Sequence, residues 1–323
     1  MTPSAVSLRT KAAVALAATA LICTALAAVP QAAGAETPHR ADALSGPSGR
    51  SPAAAQRVTG PQLFDDFNYV NYTDPSLTQH GWTLRSGQGG PGVVGATWKP
   101  QNITFATESG NSIMTLRSGT NGTAAGTEQT EIHNQRKFLY GTYAARVRFS
   151  DFPVFGPDGD HMVQTFFTIS PLNYPLDPDY SELDFEYLPN GGWGIPSSAL
   201  LATSWETYSE NPPQEVNVST QERASFAGWH DLVITVDSAS VTYYIDGRLF
   251  ATHSDPYVPE SSMAIHFNHW LIDLLGVNGR KARTYEERID YVYFAQDQVL
   301  TPAQVQTAVD NYRATDVTFE DTV

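Results

Sequence analysis

The sequence predicts an all-β protein built from two antiparallel sheets stacked face to face. Three observations carry that expectation. From Leu63 onward apolar and polar residues alternate in short runs, turn residues separate the runs, and an Asp-Gly pair joins two of them. Alternation with a period of two sends one side of each strand into a core and the other into water or a cleft. Stacking two such sheets buries the apolar sides against each other.

The segments follow in chain order. Residues 1–35 read as a secretion signal outside the fold. Arg9 and Lys11 give it a positive start, residues 12–28 form an Ala/Leu/Val-rich run, and Ala33-Gly34-Ala35 is a small-residue cleavage site. The apolar run of about 17 alanine-heavy residues is short for a membrane span. Cys23, the only cysteine, lies inside this signal. An exported chain therefore has no disulfide, thiol nucleophile or Cys-ligated metal. Residues 36–60, rich in Ala, Pro, Ser and Gly and lacking apolar periodicity, read as a flexible tail.

Residues 61–296 are expected to form one sandwich domain, which carries the site. In Gly141–Phe149, Tyr143, Ala145, Val147 and Phe149 share one face while Arg146 and Arg148 share the other. Over 231–237, Leu232, Ile234 and Val236 point one way. Residues 241–245 run into the Asp246-Gly247 turn, and Leu249-Phe250-Ala251 returns. Over 288–294, Ile289, Tyr291 and Tyr293 are expected to share a face. Residues 297–323 hold a helix and tail. Thr301 suits an N-cap, Pro302 the first helical position, and residues 303–313 continue a helix read as a surface appendage.

The 19 Lys+Arg of the whole chain include two in residues 1–35, which hold no acid. The exported part keeps 17 against 34 Asp+Glu, a formal charge of −17. Such a field opposes nucleic acids and anionic polysaccharides and suits a neutral substrate. After loss of the signal no membrane association is expected, and the chain is expected to be a monomer.

One segment carries chemistry: Glu182-Leu183-Asp184-Phe185-Glu186. Acids at i, i+2 and i+4 arise by chance roughly 0.4 times in a chain this acidic, so the spacing alone is weak. Leu183, Phe185 and Tyr187 fill the alternate positions, however, and mark a strand with a bulky core face, which sends all three acids to the other side. A merely solvated acidic strand gains nothing from that crowding, because like charges repel and no base offsets them. The Cα atoms of Glu182 and Glu186 should lie about 13 Å apart, and side chains leaning inward bring the carboxyls to roughly 5–6 Å. That separation suits a retaining glycosidase, in which one carboxylate attacks the anomeric carbon and the other protonates the leaving oxygen. Asp184, between them, can hydrogen-bond one, and crowding raises at least one pKa, as a general acid near neutral pH requires.

At this point the chain resembles the family 16 glycoside hydrolases, above all the lichenase type. Phe166-Phe167-Thr168, a loop, and Glu182-Leu183-Asp184-Phe185-Glu186-Tyr187-Leu188 are similar to that type's Phe-Phe-Thr strand and Glu-Ile-Asp-Ile-Glu-Phe-Leu-Gly. Other segments agree in order over 63–294: Thr97-Trp98, Thr130-Glu131-Ile132, Tyr140-Gly141-Thr142-Tyr143, Tyr243-Tyr244-Ile245-Asp246-Gly247, Asn268-His269-Trp270 and Ile289-Asp290-Tyr291-Val292. The resemblance implies a concanavalin A-like β-jelly roll with a substrate cleft along its curved, concave face. It implies Glu182 as nucleophile, Glu186 as acid/base and Asp184 as the assisting carboxylate. It also departs from the pattern. His133 stands where the lichenase type has Arg, Tyr180-Ser181 where an aromatic and Asp are usual, and Pro189-Asn190 where Gly-Lys follows. These positions border the glucose subsites, so the resemblance carries the chemistry rather than the linkage specificity.

Around the acids, Trp98, Trp193, Trp205 and Trp270 are candidates for stacking on a pyranose, or equally for core packing. The family pattern favours Trp98 and Trp270, and Tyr180 belongs with the same subsites. Glu131 and Asn268 can hydrogen-bond sugar hydroxyls or satisfy backbone groups. No cofactor is expected for catalysis. For Asp290 the resemblance implies a structural Ca²⁺, with the Gly110 carbonyl as a further ligand; the plain reading is a surface aspartate. No His-x-x-x-His spacing, Gly-x-Ser-x-Gly elbow or phosphate loop is present. The expected activity is thus a secreted, retaining endo-β-glycosidase acting on a polysaccharide, a β-1,3 or mixed β-1,3/1,4 glucan. Two alternatives remain. A lectin-like sandwich would keep the tryptophans but have no use for three facing acids, and a polysaccharide lyase would need a basic groove.

Overall fold

The computed structural model describes residues 58–323. The expected signal (1–35) and most of the expected tail lie outside the described residues. Two antiparallel sheets pack face to face, as the alternating runs demand. One runs Thr83–Leu84, Glu128–His133, Ala264–Leu271, Met162–Ile169, Glu182–Leu188, Ala199–Glu210 and Pro213–Glu222. The other runs Ile103–Glu108, Asn111–Thr120, Arg283–Gln296, Gly141–Phe149, Gly228–Val236, Ser240–Ile245 and Arg248–Ser254. The sheets are curved, in the manner of a jelly roll.

The core lies between them and is made of the residues the alternation selects. Leu183, Phe185, Phe166, Leu200 and Phe267 from the first sheet meet Tyr143, Ala145, Val147, Leu232, Ile234 and Val236 from the second, all buried. Burying a side chain of this size contributes about 1.5–3 kcal/mol, which is how a disulfide-free domain can be held. The Asp246-Gly247 turn forms as expected. Both residues adopt positive φ, 50° and 76°, which a two-residue turn between twisted strands requires.

Two expectations are corrected. Ile289, Tyr291 and Tyr293 do not share a face. A register shift between Ile289 and Tyr291, where the strand pairs with Gly141–Phe149, places one extra residue, Asp290. Ile289, Val292 and Phe294 then face the core, and Tyr291 and Tyr293 turn to the outside of the second sheet. There they meet the C-terminal helix, Pro302–Ala314, which is no surface appendage. Val305, Ala308 and Val309 bury its inner side on Phe64, Tyr291 and Tyr293, and Tyr312 stacks on Phe64 with ring centroids 4.6 Å apart. The helix starts where the sequence says, with Thr301 and Gln304 in a reciprocal capping box and Pro302 in its first turn. Phe319–Asp321 then pairs with Gln62–Asp65, which itself pairs with the end of Arg283–Gln296. Both ends of the described chain are therefore tied into one sheet.

Candidate active site

Because Leu183, Phe185 and Tyr187 are locked into the core, Glu182, Asp184 and Glu186 project from the open face of the first sheet. Strand register fixes what surrounds them. Glu182 lies opposite Ile169 and Trp205, Asp184 opposite Phe167 and Thr203, and Glu186 opposite Thr165 and Leu201. The same alternation brings Leu188 to this face, where it joins Val163, Leu201, Trp98 and Trp270, with Trp193 and Ile195 packed against them. The acids therefore sit between an apolar end at Leu188 and an aromatic group of Tyr180, Trp205 and Tyr208 near Glu182.

The hydrogen bonding of the three acids is unequal. Tyr180 donates its hydroxyl to Glu182 Oε2. Trp205 donates Nε1–H to Asp184 Oδ2 at 3.0 Å. Glu186 has no hydrogen-bond donor among the described residues. Burial pushes all three pKa values up, and the differences follow from the partners. Burial raises Glu182 to about 7, with Tyr180 and Asp184 pulling it down. Burial and the charge of Glu182 raise Glu186 to about 8. Asp184 is pushed well above the carboxylate range by burial, then by both glutamates. The first negative charge is thus best held on Glu182, while Glu186 and Asp184 keep their protons.

The other sequence candidates divide. Asn268 is on the cleft face, its Oδ1 accepting from Thr165 Oγ1 at 2.8 Å; its amide nitrogen has no hydrogen bond among the described residues. Trp270 is only 7 % exposed and lies 5.8 Å from Trp193 ring to ring. Trp98 is corrected as a stacking surface. It is 1 % exposed, its Nε1–H goes to Gly89 O at 2.9 Å, and the Arg85 guanidinium lies 4.2 Å above its ring. Tyr180, expected to contact sugar, is buried and hydrogen-bonds Glu182, while the partly exposed Trp205 hydrogen-bonds Asp184.

Glu131 is buried near His133 and beside two residues that sequence reasoning missed, Arg85 and His266. Its Oε2 pairs with Arg85 Nη1 at 2.8 Å, and its Oε1 lies 3.5 Å from His266 Nδ1. His133 stacks on His266 at 4.7 Å. Burial would raise the Glu131 carboxyl, but His266 and Arg85 outweigh it and hold it below its usual value. A neighbouring segment thus brings an arginine, Arg85, to the side of Glu131. His266 could have been found from the strand period alone, because it lies two residues before Asn268 on the same face.

On the opposite sheet the calcium expectation meets other charges. Gly110 lines a cavity of about 430 Å³ together with Asp66, Asn111 and Arg313. Asp290 is 1 % exposed; its Oδ1 accepts from Arg313 Nη2 at 2.7 Å, and its Oδ2 from Arg146 Nη1 at 3.1 Å and Asn111 Nδ2 at 3.3 Å. Ca²⁺ takes six to eight oxygen ligands. Here donors, two of them cationic, already face the carboxylate, so the residues as placed do not fit the ion.

Comparison with known proteins settles the family. The model of "Glycosyl hydrolases family 16" matches residues 93–293. The chain belongs to glycosyl hydrolase family 16. It is 26 % identical over 148 residues to the endo-1,3-1,4-β-glycanase ExoK of Rhizobium meliloti (strain 1021), a stretch covering 45 % of this chain and 48 % of that one. The chain therefore spans about half the length of this relative. Among solved structures, the Bacillus licheniformis β-glucanase aligns with a TM-score of 0.52 and 18 % identity over 74 % of this chain and 99 % of that one. A Bacteroides ovatus family 16 endo-glucanase aligns at 0.54 and 15 % identity, covering 71 % and 98 %. At such identity these structures speak for the fold, and the family 16 jelly roll is the fold expected from the sequence.

Proposed function

We propose that this family 16 chain is a secreted, retaining endo-β-glycosidase that cuts a neutral β-glycan, a β-1,3 or mixed β-1,3/1,4 glucan. One observation carries the reading. Three acids share one face of a strand, and the donors around them favour charge on Glu182 and a proton on Glu186. Glu182 attacks the anomeric carbon while Glu186 gives its proton to the leaving oxygen; water, deprotonated by Glu186, then releases the glycosyl-enzyme. Asp184 remains protonated beside Glu182. No step calls for a cofactor. The glucan substrate is supported by the names of the relatives, a 1,3-1,4-β-glycanase and a β-glucanase, and by an acidic chain, which suits an uncharged polymer. Export rests on the composition of residues 1–35.

A reducing-sugar assay over lichenan, laminarin, xyloglucan, agarose and carrageenan tests the substrate, with release expected from lichenan or laminarin. Proton NMR of the first product tests the mechanism, with the β-anomer expected to appear before mutarotation. An initial α-anomer would exclude double displacement.

A further inference from the structure

We infer that Tyr180 is a positioning residue, whose hydroxyl holds the Glu182 carboxylate aligned and ready to attack instead of offering its ring to a sugar. The inference rests on Glu182 being the nucleophile. Tyr180 precedes Glu182 by two residues, so the extended chain carries both to the same face. Its ring is 1 % exposed and packs edge-on against Tyr208 at 5.3 Å, which leaves no face for a pyranose. The backbone around it is pinned: Tyr180 N–H donates to Asp177 O at 3.2 Å, and Ser181 N–H to Ser170 Oγ at 2.8 Å. Asp177 itself accepts from the backbone of Asn173 and Asp179. A phenol held so firmly leaves one atom to act, and its hydroxyl bonds Glu182 Oε2. Trp205 bonds Asp184, the next acid on the strand, and the Tyr180 hydroxyl is the one side-chain donor to Glu182 among the described residues.

A hydrogen bond to the ionised form favours ionisation. Removing it must make Glu182 harder to ionise, so the acid limb of the rate profile moves to higher pH. Tyr180→Phe keeps the buried ring and deletes only the donor. The acid limb of kcat/KM is expected to rise by about one pH unit, with a roughly tenfold loss at pH 6 that shrinks toward pH 8, while KM stays within about twofold. Tyr208→Phe, which touches the ring and not the carboxylate, should leave the limb in place. An unmoved limb in Tyr180→Phe overturns the inference, as does a rise in KM at unchanged kcat, the sign of lost sugar contact. A wrong nucleophile would show itself separately, because azide would then fail to rescue Glu182→Gly whatever Tyr180→Phe does.

On the opposite sheet a different observation points to a second inference: the Arg313 guanidinium, delivered by the C-terminal helix, serves where the resemblance implies calcium. Arg313 is in the last turn of Pro302–Ala314, bonds Asp290 Oδ1, and its guanidinium carbon lies 5.4 Å from the Tyr291 ring centroid. A cation there also suits the negative end of the helix. Thermal melts in EDTA and in millimolar CaCl₂ are expected to agree within about 1 °C for the wild type, and Arg313→Ala to melt about 4 °C lower or more. A wild-type melting temperature raised several degrees by calcium, or an Arg313→Ala variant as stable as the parent, overturns the inference.

Discussion

Glu182→Gly is expected to lower kcat on the natural glycan by at least about 10⁴-fold, equivalent to roughly 5 kcal/mol of lost transition-state stabilisation. The side chain is deleted at the bottom of an open face whose floor, Leu183 and Phe185, belongs to the core and stays in place. The fold should therefore survive, and a circular dichroism melt checks that it does. Deletion also leaves a space where the attacking oxygen stood. Azide can fill it and attack an activated dinitrophenyl glycoside from the same side, without needing a regenerating step. The product expected is the α-glycosyl azide, the inverse of the substrate's β-configuration. Azide must restore turnover and give that anomer. A Glu182→Gly variant with near-normal rates, or one whose azide product is β, removes Glu182 from the role of nucleophile.

How much of this was legible before the structure is a matter of which forces act locally. The acid face of Glu182–Leu188 follows from a period of two, and a period is written in the sequence. So are the Asp246-Gly247 turn and the Thr301 cap, which depend on a few adjacent residues. The bulge at Asp290 was not legible. The run Ile289, Tyr291, Tyr293 alternates well on paper, and only pairing with Gly141–Phe149 reveals the extra residue that turns the two tyrosines outward under the helix. The roles of Tyr180 and Trp205 were hidden for a similar reason. An aromatic ring near a sugar site suggests stacking, whereas the Trp205 indole finds Asp184 only through the register that sets Trp205 opposite Glu182, and the Tyr180 hydroxyl reaches Glu182 two residues along its own chain. Arg85 lies 46 residues from Glu131, and no spacing rule could join them.

Glu186→Ala should separate the two halves of the reaction and supplies the other large effect. Under the proposed double displacement, kcat/KM in the wild type needs Glu182 ionised and Glu186 protonated. With burial lifting them to about 7 and about 8, the profile should be a narrow bell with its maximum between those values. Removing Glu186 takes away the proton for the leaving group. Hydrolysis of the glycan is then expected to fall about 10³-fold or more, whereas a dinitrophenyl glycoside, whose leaving group needs no proton, still loads the enzyme. Azide now attacks the glycosyl-enzyme from the side that water used, and the product is the β-azide, opposite in configuration to that from Glu182→Gly. The alkaline limb should vanish while the acid limb remains; an alkaline limb that persists assigns the acid to another group. The same raised carboxyl has a cost in stability. A folded state that binds a proton more tightly than the unfolded chain loses stability as pH rises from the unfolded value near 4.5 through about 8. Glu186→Gln, which cannot ionise, should therefore melt higher than the wild type at pH 9, and the difference should close by pH 4. Activity and stability would then trade against each other at one side chain, as expected of an acid held uncharged for chemistry.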